Sequence, residues 1–240
     1  MSPATDSAGQ PFHGRSFSRQ PFAGDTGEAD PGLLGALEHF HALVSGEAIP
    51  AVEVLQAAWC AVVERLRHAR VLIPLIAQAG DVGLTAEGKT VEKTQELSVI
   101  HVEGPDGRAV APIFSSIETM AAWNPQARPI PVDAKRAALA AGADGLELVV
   151  LDPGSKNSVV LRRTALSSIA TGNSYLPPWS NPDVLGAIAQ AVRLASSDVI
   201  SHRLVPGDPS QVLAGPEVVV ELALRPGLNR GELEAMAAKM

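Results

Sequence analysis

Cys60 is the only cysteine in the 240 residues and therefore the only side chain that could act as a thiol nucleophile. A reactive thiol needs a neighbouring base or cation that lowers its pKa. The helical period places Gln56, Ala57, Val63 and Glu64 one turn away from Cys60, and none of these is a histidine or an aspartate. The sequence therefore predicts a half-buried, unreactive cysteine.

The histidines do not have the spacing of a metal site. His39 and His41 differ by about 200° around a helix, so they do not point to one metal ion as an i, i+4 pair would. Glu64 and His68 do share one helix face. A single carboxylate and imidazole at that spacing is typical of a surface pair that stabilises the helix slightly.

Acid pairs and glycine motifs also give no catalytic pattern. Asp144 and Asp152 flank one predicted strand, which separates them by roughly 26 Å. This distance is too long for the two carboxylates to act together as general acid and general base. Gly142, Gly145 and Gly154 do not form a phosphate-binding loop, and no serine stands in a Gly-x-Ser-x-Gly elbow. The sequence predicts no catalytic residue, no cofactor site and no metal site.

Two tryptophans beside prolines are the candidate partner-binding residues. Aromatic residues are scarce, with three Trp, one Tyr and five Phe in the chain. A partly exposed indole in a loop often anchors a protein partner. We therefore select Trp123, Asn124, Pro125, Arg128 and Trp179 as candidate partner-binding residues. The alternative is that each indole closes a local core.

Basic residues near this loop could contact an acidic partner. Arg128, Lys135 and Arg136 are close in sequence, and Arg162 and Arg163 could lie nearby in the fold. The alternative for these side chains is an ordinary solvated surface.

Composition excludes several classes of protein. The formal net charge is −7, which disfavours nucleic-acid binding through bulk charge. Hydrophobic residues make up 46% and charged residues 19%, as in a folded globular chain. A single cysteine is compatible with a reducing cytosol. The apolar stretch at 71–77 is far shorter than the roughly 18 residues that a membrane span needs. We therefore expect a cytoplasmic protein with no nucleic-acid or membrane partner.

The elements that must position these residues follow from hydrophobic periodicity. We predict a disordered tail at 1–30, a helical pair at 31–70, an α/β domain at 71–172, a linker at 173–181 and an αββα unit at 182–240. Within the α/β domain, strands are predicted at 97–103, 146–151 and 159–163 and a helix at 134–141.

Ser115 and Glu118 are predicted to form a capping box. The fold class is α/β, of the α+β kind, with helices packed on a mixed β-sheet.

The C-terminal unit is expected to be incomplete by itself. A helix, strand, strand, helix order leaves a two-stranded sheet with an uncovered edge, which is marginal in water. We expect a further strand or a second copy to complete it, so the unit is a predicted site of homo-oligomerisation.

Six short segments follow one another in a specific order along the chain. They are Glu92-Lys93-Thr94, Gly104-Pro105-Asp106-Gly107-Arg108, Pro112-Ile113-Phe114-Ser115, Ala122-Trp123-Asn124-Pro125, Ala127-Arg128-Pro129 and Val150-Leu151-Asp152-Pro153-Gly154. Together these segments resemble the SseB family as found in GC-rich bacteria. The resemblance covers residues 71–172 for the N-terminal SseB domain and begins again at Trp179 for a C-terminal SseB domain, which we expect to end early at Met240.

This resemblance implies a non-catalytic cytoplasmic α/β protein, with links to serine sensitivity and to sulfur transfer. We therefore expect an adaptor that binds another protein, of unknown identity, through a sheet edge or the Trp-Pro loops. The alternatives are a small-molecule-binding or enzymatic protein of sulfur or serine metabolism, and a secretion-system component.

Overall fold

The computed structural model describes residue 22, residues 24–46, 50–77 and 100–238, and the backbone alone of residues 82–84, 90–92 and 97–99. The helices are α1 (Pro31–Val44), α2 (Val52–His68), α3 (Ile117–Trp123), α4 (Ala134–Ala143), α5 (Arg163–Thr171), α6 (Pro182–Ala195) and α7 (Arg230–Ala237). The strands are β1 (Arg70–Ala77), β2 (Val82–Leu84), β3 (Thr90–Glu92), β4 (Leu97–Val99), β5 (Val102–Glu103), β6 (Ala109–Ile113), β7 (Arg128–Asp133), β8 (Leu148–Leu151), β9 (Val159–Arg162), β10 (Val199–Pro206) and β11 (Val218–Leu224).

The first two helices pack on the rest of the molecule as well as on each other. The Asp30 side chain accepts a hydrogen bond from Leu33 N at 2.8 Å and so caps α1. Phe40 of α1 and Trp59 of α2 are both fully buried, with ring centroids 5.1 Å apart. Both helices belong to the main hydrophobic core, which also includes side chains of α4, α5, β8 and β9. The predicted helical pair is confirmed.

Two sheets join at one bridge. β4, β1 and β7 form an antiparallel sheet, and β5, β6, β8 and β9 form a mixed sheet in which β6 and β8 are parallel. Leu72 of β1 and Phe114, just after β6, exchange backbone hydrogen bonds of 2.8 and 2.9 Å. Helices pack on this pair of sheets, so the predicted α+β class is confirmed.

The N-terminal boundary differs from the prediction. Residues 24–30, which we call the strap, are not part of a disordered tail, because they pack on the domain. Arg70 Nε lies 2.9 Å from a carboxylate oxygen of Asp25, and Ile117 N donates to Gly27 O at 2.8 Å. The rest of the predicted tail, residues 1–21 and 23, lies outside the described residues, as do Lys93, Thr94 and Met240.

Residues 173–181 are also not a free linker. Tyr175 and Trp179 are 8% and 4% exposed, and both belong to the main core. The Tyr175 hydroxyl accepts a hydrogen bond from Trp59 Nε1 at 3.3 Å. The predicted linker is therefore a packed segment that contributes two aromatic rings to the main core.

The αββα unit is joined to the main core. Leu204 of β10 is buried there, and Val218 and Val220 of β11 pack against it. The loop between β10 and β11 reaches the mixed sheet, where Gln211 O accepts from Val160 N at 2.7 Å. This loop therefore covers the edge of β9.

Within the parts of the chain that the structure describes, no helix combines the length and the apolar character that crossing a membrane requires.

Candidate functional site

Asp152 is a buried carboxylate at the point where β8 ends. Its oxygens accept hydrogen bonds from Ser115 N at 2.8 Å, Ser115 Oγ at 2.6 Å and Thr119 Oγ1 at 2.7 Å, and the residue is 2% exposed. Its φ of +50° is in the left-handed region that aspartate tolerates better than most residues. Asp152 therefore ties together the end of β6, the start of α3 and the β8–β9 turn.

The start of α3 explains why Ser115 is free to make this contact. The structure places the capping box one residue later than predicted, with Ser116 as N-cap and Thr119 as its partner. The Ser116 hydroxyl accepts from Thr119 N at 3.1 Å. The predicted box of Ser115 and Glu118 is wrong, because the Ser115 hydroxyl donates to Asp152 instead.

Trp123 ends α3 and lies at the rim of a cavity. Its indole is half-buried and packs on the buried ring of Phe114, with centroids 5.2 Å apart and planes tilted by 43°. The cavity has a volume of about 450 Å³ and is also lined by Thr119, Pro153 and Gly154. Asp152, Ser115 and Thr119, which we call the Asp152 cluster, therefore support the wall of this cavity.

The next residues form an exposed loop between α3 and β7. Asn124 Oδ1 accepts from Gln126 N at 2.9 Å, which shapes an Asx turn. Pro125 and Arg128 are exposed. Of the predicted partner-binding residues, Asn124 and Pro125 lie in the α3–β7 loop, and Trp123 and Arg128 flank it at the end of α3 and the start of β7.

The fifth predicted residue is elsewhere. Trp179 is a core residue, 4% exposed, so its indole is not available to a partner on this surface. Arg162 also does not join the basic cluster, because its side chain is buried and pairs with Asp208 at 2.6 Å. Sequence reasoning missed Asp152 and Arg162 as structural centres because their partners are distant along the chain.

The edge of β7 is closed to strand addition by its prolines. Leu72 directs both its backbone N–H and its C=O to Phe114, so Pro131, which pairs with Leu72, directs its own nitrogen away from β1. Pro129 is two residues earlier and has the same orientation. Because proline has no N–H, the outer edge of β7 lacks donors at both positions. This disfavours the sheet-edge route to a partner at β7.

Burial raises the pKa of two ionisable groups, the Cys60 thiol and the Tyr175 hydroxyl. Desolvation raises the pKa of the Cys60 thiol, and its Sγ lies 3.6 Å from Tyr175 O. Desolvation also raises the pKa of the Tyr175 hydroxyl strongly. The prediction of a half-buried Cys60 is confirmed. A raised pKa is the opposite of what a nucleophilic cysteine needs.

The predicted surface pair of Glu64 and His68 is confirmed at 3.2 Å. Hydrogen bonds from Arg67 and, with a smaller effect, from His68 lower the pKa of the Glu64 carboxyl. Among the described residues, no three His, Cys, Asp or Glu side chains are grouped in a way that could hold a metal ion.

The mixed sheets with packed helices define an α+β protein in which Trp123 lines a cavity beside the turn that follows the buried Asp152. Residues 47–168 match the family model described as the SseB protein N-terminal domain. The match covers about half of the chain, and the chain belongs to the SseB family. No curated protein and no solved structure matches it.

The family match differs in extent from the resemblance at 71–172. The family match begins at residue 47 and so includes α2, which lies outside the resemblance at 71–172. The match concerns the N-terminal domain alone. The assignment of residues 182–240 to an SseB C-terminal domain stays a prediction.

Proposed function

We propose that this SseB-family chain is a non-catalytic adaptor of the cytoplasm, which binds another protein through the α3–β7 loop. The observation that carries the proposal is the position of Trp123, half-buried at the rim of a cavity and followed by the exposed Pro125 and Arg128. Tryptophan and arginine are the side chains that most often dominate the binding energy of an interface.

The support beneath the loop favours this proposal. Asp152 accepts three hydrogen bonds that join the start of α3 to the β8–β9 turn, and Pro153 and Gly154 of that turn line the same cavity as Trp123. A surface held in one conformation loses less entropy on binding. These contacts fix the cavity wall that faces Trp123, and the hydrogen bond from Gln126 N to Asn124 Oδ1 fixes the start of the loop.

Charge indicates the chemistry of the partner. Arg128 is exposed at the start of β7, beside the loop, whereas Lys135 and Arg136 are exposed in the first turn of α4, beyond the far end of that strand. The positive charge of Arg128 favours a partner with an acidic group beside the apolar contact. The family link to serine or sulfur metabolism is the cellular context that we propose for this interaction.

The thiol-enzyme alternative receives less support from the residues. A catalytic cysteine needs a lowered pKa, whereas burial raises the pKa of Cys60. The single cysteine is also compatible with the proposed cytoplasmic location.

The proposal is tested by photo-crosslinking in cells. A photoreactive amino acid replaces Gln126, which is exposed in the loop, and the matched control carries it at Gln190, an exposed glutamine of α6. We expect one protein to be crosslinked from position 126 and not from position 190.

The captured protein is then purified and titrated with the full chain. Trp123→Ala should weaken binding by at least about tenfold, as for an interface hot spot, and Trp123→Phe should weaken it less. Equal affinity of Trp123→Ala and the unchanged chain, or the same crosslinks from both positions, would contradict the proposal.

A further inference from the structure

The strap (residues 24–30) is held on the domain mainly by polar contacts around one arginine. Arg70, with its side chain 14% exposed, pairs with the Asp25 carboxylate at 2.9 Å. The same guanidinium donates to the backbone carbonyls of Glu28 and of Ser115. Arg70 therefore joins the strap to the end of β6, beside the Asp152 cluster.

A glycine allows the close approach of the strap to α3. Ile117 N donates to Gly27 O at 2.8 Å, and Gly27 has a φ of +78°. A Cβ atom at position 27 would lie 2.2 Å from Ile117 Cδ1, well inside van der Waals contact. The positive φ and the contact with Ile117 therefore favour glycine at residue 27.

The strap forms one wall of a cleft. Residues 26–29 border a cavity of about 640 Å³ whose other walls include Ser116, Asp152 and Asn157. Most strap residues remain exposed, and Gly27 is the only one of the seven that is buried. A segment with so little buried apolar surface belongs to the least stable parts of a fold and opens locally.

We propose that the groove formed by Arg70, Ser115 and Ile117 is a binding site for an acidic, glycine-containing peptide segment of a partner protein. The strap occupies this groove in the isolated chain as an internal ligand. The strap supplies a carboxylate to Arg70, two peptide carbonyls that accept hydrogen bonds and a glycine that packs on Ile117. An extended segment of another protein can supply the same groups.

The strap and the partner segment then compete for one groove. Because the strap is continuous with α1 through Asp30, its effective local concentration is high. A partner segment displaces it only when a second contact holds the partner nearby, or when the strap is weakened. This inference does not rest on the α3–β7 loop being the partner surface.

The test uses the full chain and a labelled peptide with the sequence of residues 24–30. Gly27→Val in the chain disfavours the bound strap, because valine neither adopts this φ nor fits beside Ile117. Fluorescence anisotropy should show the peptide binding to Gly27→Val at least about tenfold more tightly than to the unchanged chain, since the groove is no longer occupied.

Two controls define the recognition. A peptide with asparagine in place of Asp25 should bind Gly27→Val at least about tenfold more weakly, and Arg70→Ala combined with Gly27→Val should lose binding of the original peptide. Equal peptide binding by the unchanged chain and Gly27→Val would overturn the proposal. A dimer of the unchanged chain that Gly27→Val abolishes would assign the groove to a second copy, and would also overturn it.

Hydrogen exchange keeps the inference testable if Gly27→Val does not fold. In the unchanged chain, the Ile117 amide should exchange through local opening of the strap, much faster than the Val160 amide between β9 and the β10–β11 loop. Exchange of both amides at one rate, through global unfolding alone, would show a permanent strap and overturn the proposal.

Discussion

The side chains of Arg162 and Asp208 form a buried ion pair, with 2.6 Å between Nη2 and Oδ2 and side-chain exposures of 7% and 1%. The same Asp208 oxygen accepts from Leu213 N at 2.8 Å, and Arg162 also donates to Gly215 O at 2.8 Å. The pair joins the end of β9 to the loop between β10 and β11. It therefore fastens the C-terminal part of the chain to the family domain.

Removing one member of this pair should destabilise the protein strongly. Arg162→Met leaves Asp208 buried without its cation, which is expected to lower the free energy of unfolding by about 3–5 kcal/mol. Urea-induced unfolding measures the change. The control is Arg203→Met at the exposed Arg203–Glu221 pair, where we expect a loss below about 1 kcal/mol. Equal losses at both sites would contradict a structural role for the buried pair.

Replacement of Asp152 tests the support beneath the α3–β7 loop. Asp152→Ala leaves the donors of Ser115 and Thr119 without their acceptor and places alanine at a φ of +50°. We therefore expect it to lower the free energy of unfolding by about 2–5 kcal/mol. Asp152→Asn keeps one acceptor oxygen and should lose less. The exposed Asp144 provides the control, because Asp144→Ala should change stability by about 0.5 kcal/mol or less. An Asp152→Ala variant as stable as the unchanged chain would refute the supporting role of Asp152.

Tyr175 should titrate far above its ordinary range while the protein is folded. Burial raises the pKa of its hydroxyl above the ordinary value, and it is the only tyrosine, so ultraviolet absorbance of tyrosinate reports on it alone. Because the folded pKa exceeds the unfolded one, its contribution to stability is complete below pH 10 and is lost as pH rises further.

The denatured chain in urea supplies the reference titration for Tyr175, and Tyr175→Phe supplies a chain without the signal. We expect tyrosinate to appear in the denatured chain at a lower pH than in the folded chain. Coincident titration curves would show that the hydroxyl is accessible to solvent, against the buried position found here.

The two tryptophans beside prolines should respond differently to substitution. Trp179 is 4% exposed in the main core, so Trp179→Ala is expected to lower the free energy of unfolding by about 3–5 kcal/mol. Trp123 is half-buried, and Trp123→Ala should lower it by less than half as much. Chemical denaturation of both variants checks this. A larger loss at Trp123 would mean that its main role is in the core.

Self-association through residues 182–240 stays a prediction that sedimentation can test. Leu194 and Ile200 are 79% and 65% exposed on adjacent elements of this unit. If they contact a second copy, Leu194→Glu should shift the full chain towards the monomer. Leu139→Glu changes a leucine of α4 that is 53% exposed and should leave the distribution unchanged. A chain that is monomeric at every concentration tested would remove this prediction.

Short-range patterns predicted most elements because helices and strands depend on neighbouring residues. The helix predicted at 134–141 is observed as Ala134–Ala143, and the hairpin partners predicted at 146–151 and 159–163 are observed as Leu148–Leu151 and Val159–Arg162. The strand predicted at 97–103 is instead two short strands, β4 and β5, in different sheets. Pairing with distant strands decided that division.

The candidate surface was predictable where its residues are close in sequence. Asn124 and Pro125 lie in the α3–β7 loop and Trp123 and Arg128 flank it, so any fold that exposes the loop brings these residues together. Trp179 was not predictable in this way. Its neighbour Tyr175 bonds to Trp59, 116 residues away, and that packing places the segment in the core.

The amino-acid sequence by itself determined the helices, most of the strands, the fold class and the loop that follows Trp123, because each depends on spacing within a few residues. Only the tertiary structure decided that Ser115 meets Asp152 and that Arg162 meets Asp208. These pairs are separated by 37 and 46 residues. Their contact depends on how the sheets and the β10–β11 loop pack, because only tertiary packing brings residues so distant in sequence within hydrogen-bonding distance.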